Sequence, residues 1–176
     1  MEEKIVSTQQ IYDGRIVKLE LHEVELPNGQ HSKREIVRHP GAVAIIALDK
    51  NGDVLMVRQF RLAAGKVLLE IPAGTLNPNE APIDCAVREL QEETGYKPGK
   101  IEPIGGIFVA PGYTTEFIHL FMATDLTESK LSLDDDEFIE LDHVSMKDAL
   151  AWIETGAIID GKTISGLLRA ARKLGV

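Results

Sequence analysis

Three glutamates in one predicted helix are the side chains of this chain best suited to chemistry. Successive helical residues rotate by about 100°, so Glu89 and Glu93 lie one turn apart on one stripe, with Glu92 beside them. The neighbouring stripe is apolar and should pack on a core; it consists of Ile83, Ala86, Val87 and Leu90. Like charges four residues apart repel by roughly a few tenths of a kcal/mol, and a bound cation would reverse that sign.

The type of ligand indicates which cation this is. Carboxylate oxygens are the hard ligands that Mg²⁺ and Mn²⁺ prefer, and Mg²⁺ takes much of its shell from water and substrate phosphates. The loop Ile71–Gly74 before the helix contains a glycine and can present a free carbonyl to the same ion. Pro82 suits the first turn of the helix and Gly95 suits its end. The stretch Gly74–Tyr96 therefore predicts a metal site for a ligand that carries phosphate.

The fixed residues of this stretch resemble a known signature. They are Gly74, Glu80, Arg88, Glu89, Leu90, Glu92, Glu93, Gly95 and Tyr96. Their spacing is that of GX5EX7REUXEEXGU, the signature of the Nudix hydrolases, in which U is usually a bulky aliphatic residue and is here the aromatic Tyr96. The resemblance implies an α+β fold, a Nudix-type α/β/α sandwich with a mixed sheet, and hydrolysis of a nucleoside diphosphate linked to another group.

The order of predicted elements agrees with that fold. Val17–Leu26 alternates apolar and polar residues and then meets Pro27-Asn28-Gly29, which predicts a β-hairpin after a short strand near Ile5–Tyr12. Further strands are predicted at 41–48, 54–60, 67–71, 101–109, 116–123 and up to 144, and helices at 82–94, 146–155 and 162–174. We expect an N-terminal antiparallel β extension over residues 1–40 and the hydrolase domain over residues 41–176.

Composition limits the class of protein. With 176 residues, 44% of them hydrophobic and 27% charged, the chain suits one globular domain and has no apolar run of about 18 residues. The acidic, polar start lacks the features of a signal peptide, so we expect a cytoplasmic protein with no membrane segment. The formal net charge of −9 argues against nucleic acid polymers as ligands, although a metal ion can bring a small polyphosphate to an acidic cleft.

The single cysteine, Cys85, is not predicted to be a reactive residue. Cys85 has no partner for an intramolecular disulfide and cannot build a thiolate metal site alone. On the helical projection it shares the carboxylate side, and nothing near it in the sequence marks it as a nucleophile.

Four further features resemble the ADP-ribose pyrophosphatase branch of the family. They are the β-rich extension, the segment Arg58–Arg61, the segment Glu70–Gly74, and Pro111 fifteen residues beyond Tyr96. In that branch the N-terminal sheet lies across a two-fold dimer, and both subunits build the substrate cleft. A thin amphipathic sheet cannot bury its apolar face alone, which favours the same arrangement here. We therefore expect a homodimer with shared active sites.

The resemblance also implies roles for the acidic residues. Glu89, Glu93 and the carbonyl of Ala73 would bind Mg²⁺, with Mn²⁺ as a substitute, and Glu92 would act at the same cluster. The acidic run 134–137 would supply Glu137 as a metal ligand or catalytic base, with Asp135 as the competing base; the alternative is a solvated acidic loop. Arg88 would orient the carboxylates, and Glu80 would act at the site or stabilise the loop.

Substrate contacts are implied for five residues: Arg34, Arg61, Ala110, Gly112 and Glu116. Arg34 would reach into the partner's site, and the alternative for both arginines is an ordinary salt bridge. Arg58 is expected to be structural.

The implied reaction is the Mg²⁺-dependent cleavage of ADP-ribose by water into AMP and ribose 5-phosphate. One alternative is another nucleoside diphosphate sugar, such as ADP-glucose or GDP-mannose. Another is a sensor that binds ADP-ribose or a NAD derivative without hydrolysis. A sensor would require a damaged motif, and this motif is intact.

Overall fold

The structure, a computed structural model, describes residues 1–129 and 138–176. Its strands are β1 Lys4–Asp13, β2 Lys18–Glu25, β3 His31–Arg38, β4 Ala42–Ala47, β5 Val54–Arg61, β6 Lys66–Glu70, β7 Ala73–Thr75, β8 Tyr96–Phe108, β9 Phe117–Glu128 and β10 Glu140–Val144. Its α-helices are α1 Pro82–Thr94, α2 Met146–Glu154 and α3 Gly161–Leu174, and a 3-10 helix spans Leu62–Ala64. The chain forms two compact units, one of Met1–Gly41 with Phe108–Phe117 and one of Ala42–Ile107 with Ile118–Val176.

The first unit is built on an antiparallel sheet in the order β1-β2-β3. The predicted hairpin between β2 and β3 is confirmed: Gly29 has φ 81° and donates its N–H to the carbonyl of Leu26. Strand β1 is exposed along its whole length. The segment Phe108–Phe117 joins the sheet at the end of β3, where the N–H groups of Val37 and Thr115 bond the carbonyls of Tyr113 and Val37.

The second unit is organised around β4, which is buried throughout. This strand is parallel to β9 and antiparallel to β7, in a mixed sheet of order β7-β4-β9-β8. A second, antiparallel sheet has the order β10-β5-β6. Side chains alternate along β4, so Val43 and Ile45 pack with Leu90 of α1, while Ala44 and Ile46 pack with residues of α2 and α3. Helices thus cover both faces of the mixed sheet, as the sequence predicted.

Two sequence-based expectations about local structure were wrong. The loop expected at Ile71–Gly74 ends earlier, since Ala73–Thr75 forms β7; its backbone pairs with β4 although its side chains carry no strand pattern. Ile83 was placed on the buried face of α1, yet it is 43% exposed, and Cys85 takes its place in the core beside Ala86 and Leu90. Strand β9 also extends beyond the expected end at 123.

The start of α3 fixes the loop that leads to β7. Asp160 caps the helix by accepting the N–H of Thr163 at 3.0 Å, and it also accepts the Thr163 hydroxyl at 2.6 Å. The oxygen of Thr163, which is fully buried, accepts the N–H of Ile71 at 3.0 Å. Within the described part of the chain, no helix is long and apolar enough to cross a membrane.

We expect Thr163→Val to lower the free energy of unfolding by about 1–3 kcal/mol, because the buried N–H of Ile71 loses its acceptor while the side-chain volume is unchanged. Urea denaturation measures the difference. The matched control is Thr127→Val on the exposed part of β9, which should stay within about 0.5 kcal/mol of the unmodified protein. Equal effects at the two positions would contradict this role of Thr163.

Candidate active site

Helix α1 carries the predicted acidic site and is well bounded. It begins at Pro82 and ends at Gly95, whose φ of 76° is left-handed and whose N–H bonds the carbonyl of Gln91 at 3.0 Å. Its buried face packs through Ala86 and Leu90 beneath β4. The adjacent flank presents Glu89 and Glu92, and Glu93 is itself buried, so core packing fixes the direction in which the glutamates point.

Arg88 is the centre of the acidic cluster. Its Nε and Nη2 donate to the two carboxylate oxygens of Glu80 at 2.8 and 2.9 Å, and its Nη1 donates to Glu89 Oε1 at 2.6 Å and Glu92 Oε2 at 2.9 Å. These charge-assisted bonds raise the pKa of Arg88, with the bonds to Glu80 as the largest cause. Arg88 therefore holds Glu80 by a bidentate pair and Glu89 and Glu92 by single bonds.

Glu80 contributes mainly to the loop before α1. It forms the bidentate pair with Arg88, and its Oε2 also accepts the N–H of Asn77 at 2.9 Å. The bonds from Arg88, followed by the Asn77 N–H, lower the pKa of Glu80 to about 2 despite its partial burial. Its contacts are thus those of the loop-stabilising alternative.

The Glu93 carboxylate is bound at the first residue of β7. Its side chain is only 8% exposed, and its Oε2 accepts the N–H of Ala73 at 3.1 Å. A buried carboxylate of this kind needs a donor or a cation to compensate for lost hydration. The pairing of β7 with β4 places Ala73 opposite Ala44, so the sheet itself sets this contact.

Gly74 allows Glu89 to approach the backbone of β7. A Cβ atom at position 74 would lie 1.9 Å from Cδ of Glu89 and 2.1 and 2.2 Å from its two carboxylate oxygens. No residue with a side chain fits there unless Glu89 moves. The glycine that opens the motif is therefore required by the space that the Glu89 carboxylate occupies.

Cys85 lies beside the cluster but is chemically quiet. Burial raises the pKa of its thiol to about 12, and the side chain is fully buried. Its Sγ donates to the carbonyl of Thr75 at 3.6 Å. The expectation that it shares the carboxylate side was wrong in part, because Cys85 packs into the core under β4.

Comparisons with known proteins agree with this arrangement. The family model of the NUDIX domain matches residues 37–166, and that of the nucleoside diphosphate sugar hydrolase N-terminal domain matches residues 3–37. The chain belongs to the Nudix hydrolases.

Three curated relatives and one solved structure illustrate the similarity. The chain is 45% identical to the ADP-ribose pyrophosphatase of Bacillus subtilis (strain 168) and 47% identical to the methanol dehydrogenase activator of Bacillus methanolicus, in each case over 93% of this chain and 89% of the relative. It is 37% identical to a GDP-mannose pyrophosphatase of Yersinia enterocolitica over 72% of this chain and 71% of the relative. The structure called "Crystal structure of ADP compounds hydrolase" shares the fold, with a TM-score of 0.88, 19% identity and coverage of 99% and 95%.

Nudix hydrolases generally use divalent metal ions, and the donor set of this member suits them. Glu89, Glu92 and Glu93 supply only hard oxygen ligands and exceed the single positive charge of Arg88. In residues 1–129 and 138–176, no three acidic, histidine or cysteine side chains already converge on one point. The predicted residues Asp135 and Glu137 lie outside the described residues.

Arg61 lies in the same unit as this cluster, at the end of β5. Its Nε and Nη2 donate to the two oxygens of Glu70 at 2.9 and 2.8 Å. This bidentate bond raises the pKa of Arg61, and the charge of Glu93 adds to the effect, so the guanidinium lies within electrostatic reach of the cluster. Arg58, expected to be structural, forms an ion pair with Asp142 of β10.

The other predicted substrate residues belong to the first unit. Arg34 on β3 forms a bidentate pair with Glu3, with distances of 3.0 Å from Nε and 2.5 Å from Nη2, which is the salt-bridge alternative. Ala110 accepts the N–H groups of Tyr113 and Thr114 in a tight turn. Glu116 lies 4.0 Å from His39, and the space around Gly112 is open, because a Cβ atom there would meet no atom within 4 Å.

Sequence reasoning missed several residues around Arg61. In the sequence Glu70 stands out only as part of the segment Glu70–Gly74, which resembles the family. Asp160, Lys162 and Thr163 are not among the predicted site residues. An N-cap aspartate three residues before Thr163 is a usable local signal for the start of α3. Nothing local links Lys162 to Glu70, because 92 residues separate them.

We expect Gly74→Ala to lower turnover by about 100-fold or more, since the new methyl group must displace the Glu89 carboxylate. The displaced atoms are the end of a flexible side chain, so the protein should still fold. The matched control is Gly161→Ala at the first position of α3, where a Cβ atom meets nothing within 4 Å. Activity and urea denaturation are measured on both variants, and full activity of Gly74→Ala would contradict the role of Glu89.

Proposed function

We propose that this chain hydrolyses ADP-ribose with water to AMP and ribose 5-phosphate in the presence of Mg²⁺. The observation that carries the proposal is the intact carboxylate cluster around Arg88, placed against the backbone of Ala73 and Gly74. It is supported by the 45% identity to an ADP-ribose pyrophosphatase over nearly the whole chain.

In this proposal Glu89, Glu93, the carbonyl of Ala73 and Glu137 hold the ion, and Mn²⁺ substitutes for it. When bound, a divalent ion neutralises diphosphate charge and lowers the pKa of water. Arg88 keeps Glu89 and Glu92 in place, and the Ala73 N–H orients Glu93. A carboxylate of the acidic loop, Glu137 or Asp135, takes the proton of the attacking water, while Glu92 assists at the cluster.

Substrate binding is assigned to Arg34, Arg61, Ala110, Gly112 and Glu116, as the family resemblance implies, with Arg34 reaching into the site of a partner chain. A guanidinium suits this task because its planar donors match phosphate oxygens. Arg34 now pairs with Glu3 through two bonds, so its substrate role requires that pair to open when the substrate binds.

We further propose that residues 1–40 act as a dimerisation extension to the hydrolase domain of residues 41–176, in a cytoplasmic homodimer. Strand β1 supports this, because among residues 1–129 and 138–176 it has a sheet neighbour on one edge only, and it exposes apolar side chains. Ile5, Val6, Ile11 and Tyr12 are 60, 52, 51 and 58% exposed in the single chain. Apolar surface of this kind on a thin sheet favours a partner of the same sequence.

Light scattering should give a mass of twice 19.4 kDa for the purified protein. Val6→Glu should shift the mass towards that of one chain and lower activity in parallel, because a charge on β1 cannot be buried at the interface without compensation. Gln30→Glu in the exposed turn between β2 and β3 adds the same charge away from β1 and serves as control. A stable single chain with full activity would refute the shared site.

Two alternatives compete with ADP-ribose hydrolysis. The GDP-mannose pyrophosphatase among the relatives supports the same chemistry on another nucleoside diphosphate sugar. The methanol dehydrogenase activator, at 47% identity, is named for an effect on another protein, and a non-hydrolysing sensor would fit that name. Hydrolysis is favoured because Glu89, Glu92 and Glu93 are all present and held by specific donors.

A substrate panel tests the proposal. ADP-ribose, ADP-glucose and GDP-mannose are incubated with Mg²⁺ or Mn²⁺, and release of the nucleoside monophosphate is followed. ADP-ribose should give the highest kcat/KM. Glu93→Gln should lower its turnover by about 1,000-fold, because a charged ligand of the ion is lost.

The matched control for this substitution is Glu154→Gln, which changes an exposed glutamate at the end of α2 and should leave turnover within about twofold. Glu93→Gln with more than about a tenth of normal turnover would refute the role of Glu93. A clear preference for GDP-mannose would transfer the assignment to that sugar nucleotide.

A further inference from the structure

Arg61 is the first member of a chain of four alternating charges that ends at the start of α3. Arg61 binds both oxygens of Glu70, and Lys162 Nζ donates to Glu70 Oε2. The same Nζ donates to Asp160 Oδ2 at 3.0 Å. Two cations and two carboxylates thus alternate in space, each in contact with the next, from β5 and β6 to the start of α3.

This charge chain is largely buried. The side chain of Glu70 is 1% exposed and that of Lys162 is 12% exposed. Burial alone would raise the pKa of Glu70, but the bonds and charges of Arg61 and Lys162 outweigh it, so that its pKa lies below the usual value. Buried ion pairs seldom add stability relative to apolar side chains of similar volume, so stability alone does not explain the arrangement.

The position of Lys162 is itself fixed by its neighbours. Asp160, which binds Lys162, is also the N-cap of α3 and accepts two bonds from Thr163. Thr163 in turn holds the N–H of Ile71, the residue after Glu70. The first turn of α3 is therefore hydrogen-bonded both to Glu70 and to the loop that leads into β7, the strand of Ala73 and Gly74.

Arg61 has donor capacity left after these contacts. Its hydrogen bonds within residues 1–129 and 138–176 come from Nε and Nη2 and go to Glu70 alone. The Nη1 amino group makes no such bond among these residues, and the Arg61 side chain is 40% exposed. Glu70, which holds Arg61, stands three residues before Ala73, whose N–H binds Glu93, and the charge of Glu93 contributes to the raised pKa of Arg61.

We propose that Glu70 and Lys162 are positioning residues that lock the Arg61 guanidinium in one orientation, so that its Nη1 group binds the anionic substrate. The proposal rests on the proposed function, because it assigns Arg61 to that substrate. Asp160 acts in the same chain by holding Lys162. A fixed guanidinium loses less side-chain entropy on binding than a mobile one, so this device acts on substrate affinity.

Proton exchange at the Arg61 side chain tests the lock without any substrate. The Nε–H signal is followed in ¹⁵N-labelled protein and is identified by its loss in Arg61→Lys. Lys162→Met should accelerate its exchange with water at least about tenfold, because Glu70 loses the contact with Lys162 Nζ that fixes the orientation of its carboxylate, and the bidentate bond to Arg61 then opens more often. Asp160→Asn keeps the cap oxygen of α3 and should accelerate exchange in the same direction.

The matched control is Lys173→Met on the same helix, which removes a cation from an exposed pair with Glu102. Its exchange rate should stay within about twofold of the unmodified protein. Lys162→Arg keeps a cation at this position, so the Nε–H of Arg61 should exchange as slowly as in the unmodified protein. Unchanged exchange in both Lys162→Met and Asp160→Asn would overturn the proposal, whether or not the protein hydrolyses any diphosphate.

Kinetics tests the consequence for the substrate. Lys162→Met should raise KM about tenfold and leave kcat within about threefold, whereas a general loss of structure would lower kcat as well. In the Arg61→Ala background the same substitution should change KM by less than about twofold, because the group it positions is gone. Equal increases of KM in both backgrounds would overturn the proposal. If no diphosphate is cleaved, the proposed function fails, and the exchange rates alone show whether Glu70 and Lys162 fix the orientation of Arg61.

Discussion

The interaction on which this structure depends is the contact of one guanidinium with several carboxylates. Arg88 binds Glu80, Glu89 and Glu92 at 2.6 to 2.9 Å, while Glu93 is buried nearby on a backbone N–H. One positive charge does not balance this group, and repulsion between the carboxylates would separate them in isolation. The cluster therefore keeps an excess of negative charge, and the proposed binding of a divalent cation uses that excess.

The rest of the second unit serves to keep the cluster in place. Strand β4 buries side chains on both faces, so α1 is fixed on one side and α3 on the other. Strand β7 brings the Ala73 N–H to Glu93 and the bare Cα of Gly74 to Glu89. Thr163 holds the N–H of Ile71 from the side of α3. Two helices that lie on opposite faces of a sheet thus act on the same short loop.

Much of this could be predicted from the sequence, because the deciding signals are local. The spacing of Glu89, Glu92 and Glu93 within one short helix predicts the acidic face, and Asn28-Gly29 predicts the hairpin. Contacts between distant residues could not be predicted. The pair of Glu70 with Lys162 and the pair of Arg34 with Glu3 join segments that only the fold brings together. Strand β7 escaped prediction for the same reason, since its strand character comes from its neighbour β4.

Calorimetric titration of Mn²⁺ into the protein without substrate shows whether the carboxylates bind a divalent ion. We expect a saturable heat of binding for the unmodified protein and at least a tenfold weaker affinity for a variant that combines Glu89→Gln with Glu93→Gln, because both substitutions remove charged oxygen ligands. Equal Mn²⁺ affinity in the two proteins would contradict this expectation.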